Sequence, residues 1–77
     1  MLITDECLDV TGLSCPLPLL KAKQALNKLT SGKVLKVDCT DAGSVRDFQV
    51  FAKQSGHILV EQQEQAGHYL HWIKKTS

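Results

Sequence analysis

The sequence predicts a two-layer α/β (α+β) sandwich, with two helices covering one face of a four-stranded mixed sheet. Three observations predict it. The chain has 77 residues, about half the ~150 of a typical domain, so a single domain over residues 1–77 is expected. Hydrophobic residues make up 43% and charged residues 22%, the balance of a chain that builds one core and keeps a polar surface. Hydrophobic periodicity then reads in the order β-α-β-α-β-β.

The first strand lies within residues 4–10, where Leu8 and Val10 alternate with Asp9. Thr11-Gly12-Leu13-Ser14 is a turn. Over 16–29 the apolar positions Leu19, Ala22, Ala25/Leu26 and Leu29 recur at steps of three and four. Lys21, Gln24, Asn27 and Lys28 fall on the other side, which makes an amphipathic helix. Gly32, free to adopt the left-handed conformation, is expected to end it.

The second strand, 34–39, puts Leu35, Val37 and Cys39 on one face and Lys36 and Asp38 on the face expected to be open. After a loop over 40–44, in which Ser44 or Asp41 is suited to cap a helix, Val45, Phe48, Phe51/Ala52 and Ser55 form a second stripe closed by Gly56. Residues 58–62 and 69–74 read as strands of a hairpin turning at Ala66-Gly67. Leu70 and Trp72 are expected to face the helices, with Tyr69, His71 and Ile73 opposite. Right-handed crossovers put both helices on one side, with the first two strands parallel and the hairpin antiparallel.

Composition narrows the function. Nine Lys+Arg against eight Asp+Glu give a net charge of +1, which lends no support to nucleic-acid binding. No apolar run approaches the ~18 residues of a membrane span. Three cysteines, an odd number without a CxxC pair, fit neither a disulfide scaffold nor a zinc site. The opening residues lack a basic segment followed by an apolar one, so a reducing cytoplasm with free thiols is expected. His57, His68 and His71 read as surface residues rather than metal ligands, because His68 and His71, three apart on a strand, point to opposite faces and cannot converge. Lys21, Lys23, Lys28, Lys33 and Lys36 read as a solvated face with the capacity to steer an acidic partner. No metal or cofactor is expected, and no pattern argues for an oligomer, so a monomer is expected.

The chemistry concentrates in Cys15-Pro16-Leu17-Pro18. Pro16 and Pro18 suit the first turn of a helix, where backbone N–H groups have no intrahelical acceptor. Two prolines there stiffen the entry and fix the direction of the Cys15 sulfur. Cys15 is then expected near the N-cap, where the positive end of the helix dipole favours a thiolate. The residues alone leave two readings: a nucleophilic or sulfur-carrying cysteine, or a small buried thiol that caps the helix.

The stretch from Leu8-Asp9-Val10 through Gly12 to Cys15-Pro16-Leu17-Pro18 resembles the signature of the TusA family of small sulfur-carrier proteins, with its SirA- and YeeD-like domains. The resemblance continues through Gly32-Lys33-Val34-Leu35, Asp41-Ala42-Gly43-Ser44-Val45-Arg46-Asp47 and Gly56-His57. It implies the same β-α-β-α-β-β sandwich. It also implies that Cys15 accepts a sulfane sulfur as a persulfide and passes it from a donor protein (a cysteine desulfurase or a rhodanese-like protein) to an acceptor protein. Family members serve tRNA thiolation, molybdenum-cofactor assembly, sulfur oxidation or thiosulfate handling.

Parallel first and second strands would bring Cys15, Cys39 and residues 41–47 to one sheet edge. Arg46 would favour an anionic sulfur there, whereas Asp41 and Asp47 would oppose it. Their plainer roles are a helix cap for Asp41, a solvated cation for Arg46 and a first-turn acid for Asp47. Cys39 reads as a packed thiol, or alternatively as the resolving cysteine of a thiol redox protein. Cys7, with polar neighbours, reads as incidental. A third alternative is a regulatory interaction domain in which Cys15 is structural.

Overall fold

The computed structural model describes residues 4–76. Its elements are β1 (Glu6–Asp9), α1 (Leu17–Asn27), β2 (Val34–Cys39), α2 (Ser44–Ser55), β3 (Ile58–Gln65) and β4 (His68–Lys74). The sheet order is β1-β2-β4-β3. β1 runs parallel to β2, with Leu8 beside Val37 and Asp9 beside Asp38. β4 lies antiparallel to both β2 and β3. Two helices on one face of a mixed four-stranded sheet is the architecture the periodicity predicts.

The core fills the space between the helices and the sheet. Ala22 and Leu26 of α1 and Phe48 of α2 pack with Leu35, Val37 and Cys39 of β2 and Ile73 of β4, and Val10 closes the end. All are almost wholly withdrawn from water. At ~25 cal/mol per Å², burying a leucine- or phenylalanine-sized side chain contributes about 2–3 kcal/mol, so these few residues carry most of the fold's stability.

Three local expectations change. α1 ends at Asn27 with Lys28 as its C-cap in the right-handed region, and Gly32, at φ +91, serves the turn into β2, where its N–H donates to the Lys75 carbonyl at 2.7 Å. The hairpin strands are longer than the alternation indicates. Ala66 and Gly67 form a two-residue connection with φ of 51° and 81°, the pairing of positive φ values that matches the twist of antiparallel strands.

The third change concerns β4, whose faces are reversed. Ile73 and His71 point to the helices and Tyr69 packs against that core. Leu70 and Trp72 join Val34 on the opposite face. There Lys36 lies over the Trp72 ring at 5.5 Å, and the indole N–H donates to Thr4 Oγ1 at 3.3 Å. The reversal has a simple cause. β4 is a central strand with apolar residues on both faces, so alternation could not tell which face meets the helices. Among the described residues, no helix is long and apolar enough to cross a membrane.

Candidate functional site

Because β1 and β2 are parallel and in register, their C-terminal ends share an edge, and the loops that follow them meet. Asp9 Oδ1 accepts from the Thr11 N–H at 2.9 Å and from its hydroxyl at 2.7 Å, a side-chain turn that reverses the chain after β1. The next residue, Gly12, donates its N–H to Thr40 Oγ1 at 2.8 Å. These bonds tie the β1–α1 connection to the loop after β2.

Cys15 sits on that connection, exposed. α1 begins at Leu17 with Pro16 as N-cap and Pro18 buried in the first turn, so Cys15 lies one residue outside the expected cap. The Cys15–Pro16 peptide is cis. The Cys15 N–H donates to Asp41 Oδ2 at 3.0 Å, and its thiol donates to Asp47 Oδ2 at 2.9 Å. Asp47 belongs to the first turn of α2. Two carboxylates from another part of the chain therefore hold the backbone and the sulfur of one cysteine.

The thiolate preference expected from the helix dipole thus gives way to the opposition expected of Asp41 and Asp47. The Cys15 pKa is raised, first by the hydrogen bond to Asp47, then by desolvation, then by the negative charges of Asp47 and Asp41. A carboxylate that accepts the S–H bond stabilises the protonated thiol and repels the thiolate. The dipole effect of α1 fades within a turn and acts on a sulfur outside the cap, whereas the carboxylates are in direct contact. Arg46 is exposed on α2, and among the described residues its guanidinium makes no ion pair; the pairs are Lys33–Asp5 and Asp38–His68.

Cys39 is wholly buried in the core. Burial pushes its thiol up to about 11, partly offset by hydrogen bonding from the Ser44 side chain. A resolving role would require that region to open. Cys7 is exposed on β1 and lines a groove of about 320 Å³ between β1 and α1 with Lys21, Ala25 and Lys28. Cys15 stands outside that groove. Among the described residues, no three His, Cys, Asp or Glu side chains gather as metal ligands would.

Sequence reasoning missed the polar cluster beneath the site. His71, expected on the surface, is wholly buried. Its ring stacks on Phe48 with centroids 4.3 Å apart, and its nitrogens meet Ser44 Oγ at 2.8 Å and Gln62 Nε2 at 3.1 Å. Ser44 does not cap α2: the N-cap is Gly43, without a side-chain bond. The hydroxyl turns inward to His71 instead. A bulge between Leu59 and Glu61 shifts the facing of β3 and brings Gln62 over the helix side, and period-2 alternation carries no signal for such a shift.

Fold and site together define a small α+β protein that presents one exposed thiol, held by carboxylates, at the edge where two parallel strands end. The chain belongs to the TusA family: residues 6–75 match the family model described as Sulfurtransferase TusA. It is 53% identical over 72 residues to the sulfur carrier protein TusA of Allochromatium vinosum, covering 94% of this chain and 95% of that one. It is 47% identical over 76 residues to the sulfur carrier protein TusA of Pseudomonas entomophila, covering 99% and 95%. The crystal structure of the SirA-like protein from Desulfitobacterium hafniense superposes with a TM-score of 0.82 at 28% identity, covering 94% of this chain and 99% of that one.

Proposed function

We propose that this protein is a sulfur carrier that holds a sulfane sulfur as a persulfide on Cys15 and relays it between two proteins. The observation that carries the reading is Cys15 itself, exposed at the head of α1 within Cys-Pro-Leu-Pro. Pro16 and Pro18 restrict the chain on either side of Leu17 and so limit where the sulfur points. Asp47 and Asp41 supply the polar contacts.

The reaction is exchange at sulfur. The Cys15 sulfur attacks the terminal sulfur of a donor persulfide, a new S–S bond forms on Cys15, and the donor's S–S bond breaks. The thiol proton passes to the departing donor sulfur, with Asp47 as its hydrogen-bonding station, so a thiol and a persulfide exchange without net oxidation. Delivery to the acceptor repeats the exchange in the other direction. No enclosed cavity is needed. The demands are an approachable sulfur and a surface that docks each partner, and an exposed sheet edge meets them.

The donor is a protein that carries a persulfide, of the cysteine desulfurase or rhodanese-like kind. The acceptor belongs to one of the thiolation, molybdenum-cofactor, sulfur-oxidation or thiosulfate routes, in the reducing cytoplasm where free thiols persist. The test is intact mass after incubation with a desulfurase and cysteine, or with thiosulfate and a rhodanese. A gain of one sulfur atom that reductant removes and Cys15→Ser abolishes is the expected result. No gain from either donor, with Cys15 freely alkylated by iodoacetamide, would overturn it.

A further inference from the structure

We propose that His71 is a positioning residue for Cys15: with Gln62 it grips the first turn of α2 and so sets Asp47 against the thiol. The proposal rests on the reading above only in taking Cys15 as the working sulfur. His71 is wholly buried, and its ring contacts lead to α2, directly at Ser44 and Phe48 and through Gln62 at Val45.

The hydrogen bonds fix the orientation of each group. Gln62 Oε1 accepts from Gln49 Nε2 at 2.9 Å, and Gln62 Nε2 donates to the Val45 carbonyl at 2.9 Å. With its amide pinned in that sense, Gln62 donates its second N–H to His71 Nδ1 at 3.1 Å. Nδ1 is then the acceptor of a neutral imidazole, which leaves Nε2–H to donate to Ser44 Oγ at 2.8 Å. Gln62 and His71 are direct partners in the β3–β4 ladder. One rung of the sheet thus holds α2 at two consecutive residues, Ser44 by its hydroxyl and Val45 by its carbonyl. Phe48, one turn on, lies flat against the same imidazole.

Two consecutive grips lock the rotation of a helix about its axis, since each residue turns by about 100°. Asp47 follows Ser44 by three residues, close to one helical turn. Asp41 is tied to the same place, for its carbonyl accepts the Ser44 N–H at 3.1 Å. The ionisable groups that bear on Cys15 are these two carboxylates. Both are therefore registered to the sheet through Ser44, and a displacement of about 1 Å would lengthen the Cys15–Asp47 contact beyond a useful hydrogen bond. An apolar side chain in place of His71 would fill the core and stack on Phe48, but it would leave Ser44 and Val45 without a common anchor.

The test uses the full chain in a Cys7→Ser background, with iodoacetamide alkylation of Cys15 followed by mass spectrometry across a pH series. His71→Phe keeps the aromatic stack and removes both hydrogen bonds. The expected result is that its alkylation profile moves to lower pH and that modification at neutral pH is several-fold faster than in the His71 protein. Asp47→Asn moves the profile in the same direction, and the double variant is no faster than Asp47→Asn alone. A His71→Phe profile that matches the parent, or an effect that adds in full to Asp47→Asn, would overturn the proposal. Should His71→Phe not fold, Ser44→Ala removes the same bond from the helix side, and a parental profile there overturns it equally. Sulfur loading is read separately by intact mass. Its failure would remove the persulfide reading while the alkylation profiles still decide the role of His71.

Discussion

Cys15 and Asp47, 32 positions apart in the sequence, meet through a 2.9 Å hydrogen bond from thiol to carboxylate. The contact makes the resting sulfur a held thiol rather than a free thiolate. It also gives the departing proton a defined first stop.

The raised Cys15 pKa has a direct signature. In the native protein the alkylation rate of Cys15 should climb at higher pH than in the urea-unfolded chain, because the folded thiol releases its proton later. Asp47→Asn should bring the two curves together. Rate measurements with iodoacetamide and peptide-level mass spectrometry read both, and coincident curves in the unaltered protein would contradict the held thiol.

The burial of His71 ties stability to pH. Desolvation depresses its pKa from the ordinary 6.5 to about 4, so the stability that goes with its neutral form is fully present above pH 6.5. It is lost as pH falls from there through about 4, since the unfolded chain binds the proton first. The whole effect is on the order of 3 kcal/mol. Urea midpoints measured between pH 7 and pH 4 should fall in the parent protein, and His71→Phe should remove most of that slope.

Cys39 should be chemically silent in the folded state. Its burial and its thiol pKa near 11 predict that iodoacetamide at pH 8 modifies Cys7 and Cys15 and spares Cys39 until denaturant is added. Mass spectrometry with and without urea decides it. Native-state modification of Cys39 on the timescale of Cys15 would show an opening that the packed core does not provide.

Phe48 joins the apolar core to the polar cluster, filling the space between α2 and the sheet and supporting the His71 ring. Phe48→Ala should cost about 3–5 kcal/mol, measured by urea denaturation. In so small a domain that is most of the stability available. Leu26→Ala, in α1, should cost about 2–5 kcal/mol without moving the Cys15 pH profile.

The layered architecture was legible because Leu19, Ala22 and Leu26 in one segment and Val45, Phe48 and Ala52 in another repeat with helical spacing while Leu35, Val37 and Cys39 alternate. The site was legible in its parts: Cys15 between a turn and two prolines, and Asp41 and Asp47 in the loop and first helical turn that follow β2, which parallel strands bring alongside. What escaped was the facing of β4 and the dominance of the carboxylates over the helix dipole at Cys15. The first escaped because β4 is a central strand with apolar residues on both faces, Ile73 on one and Leu70 and Trp72 on the other, so alternation does not encode which face meets the helices. The second depends on a shift of a single residue at the head of α1, which exchanges the weak influence of a dipole for contact with a carboxylate.

The sheet order carries a consequence for biosynthesis. β4 is the last of the six elements, yet it lies between β2 and β3 and pairs with both. A nascent chain that has emerged only as far as Gly67 can form its helices and pair β1 with β2, but β3 has no neighbour and His71 is still inside the ribosome. The anchor that registers α2 against Cys15 is thus among the final contacts made available. A ribosome stalled before β4 would present Cys15 without the anchor behind the carboxylates that hold its thiol, so the restraint on that sulfur is complete only after translation has passed the closing strand.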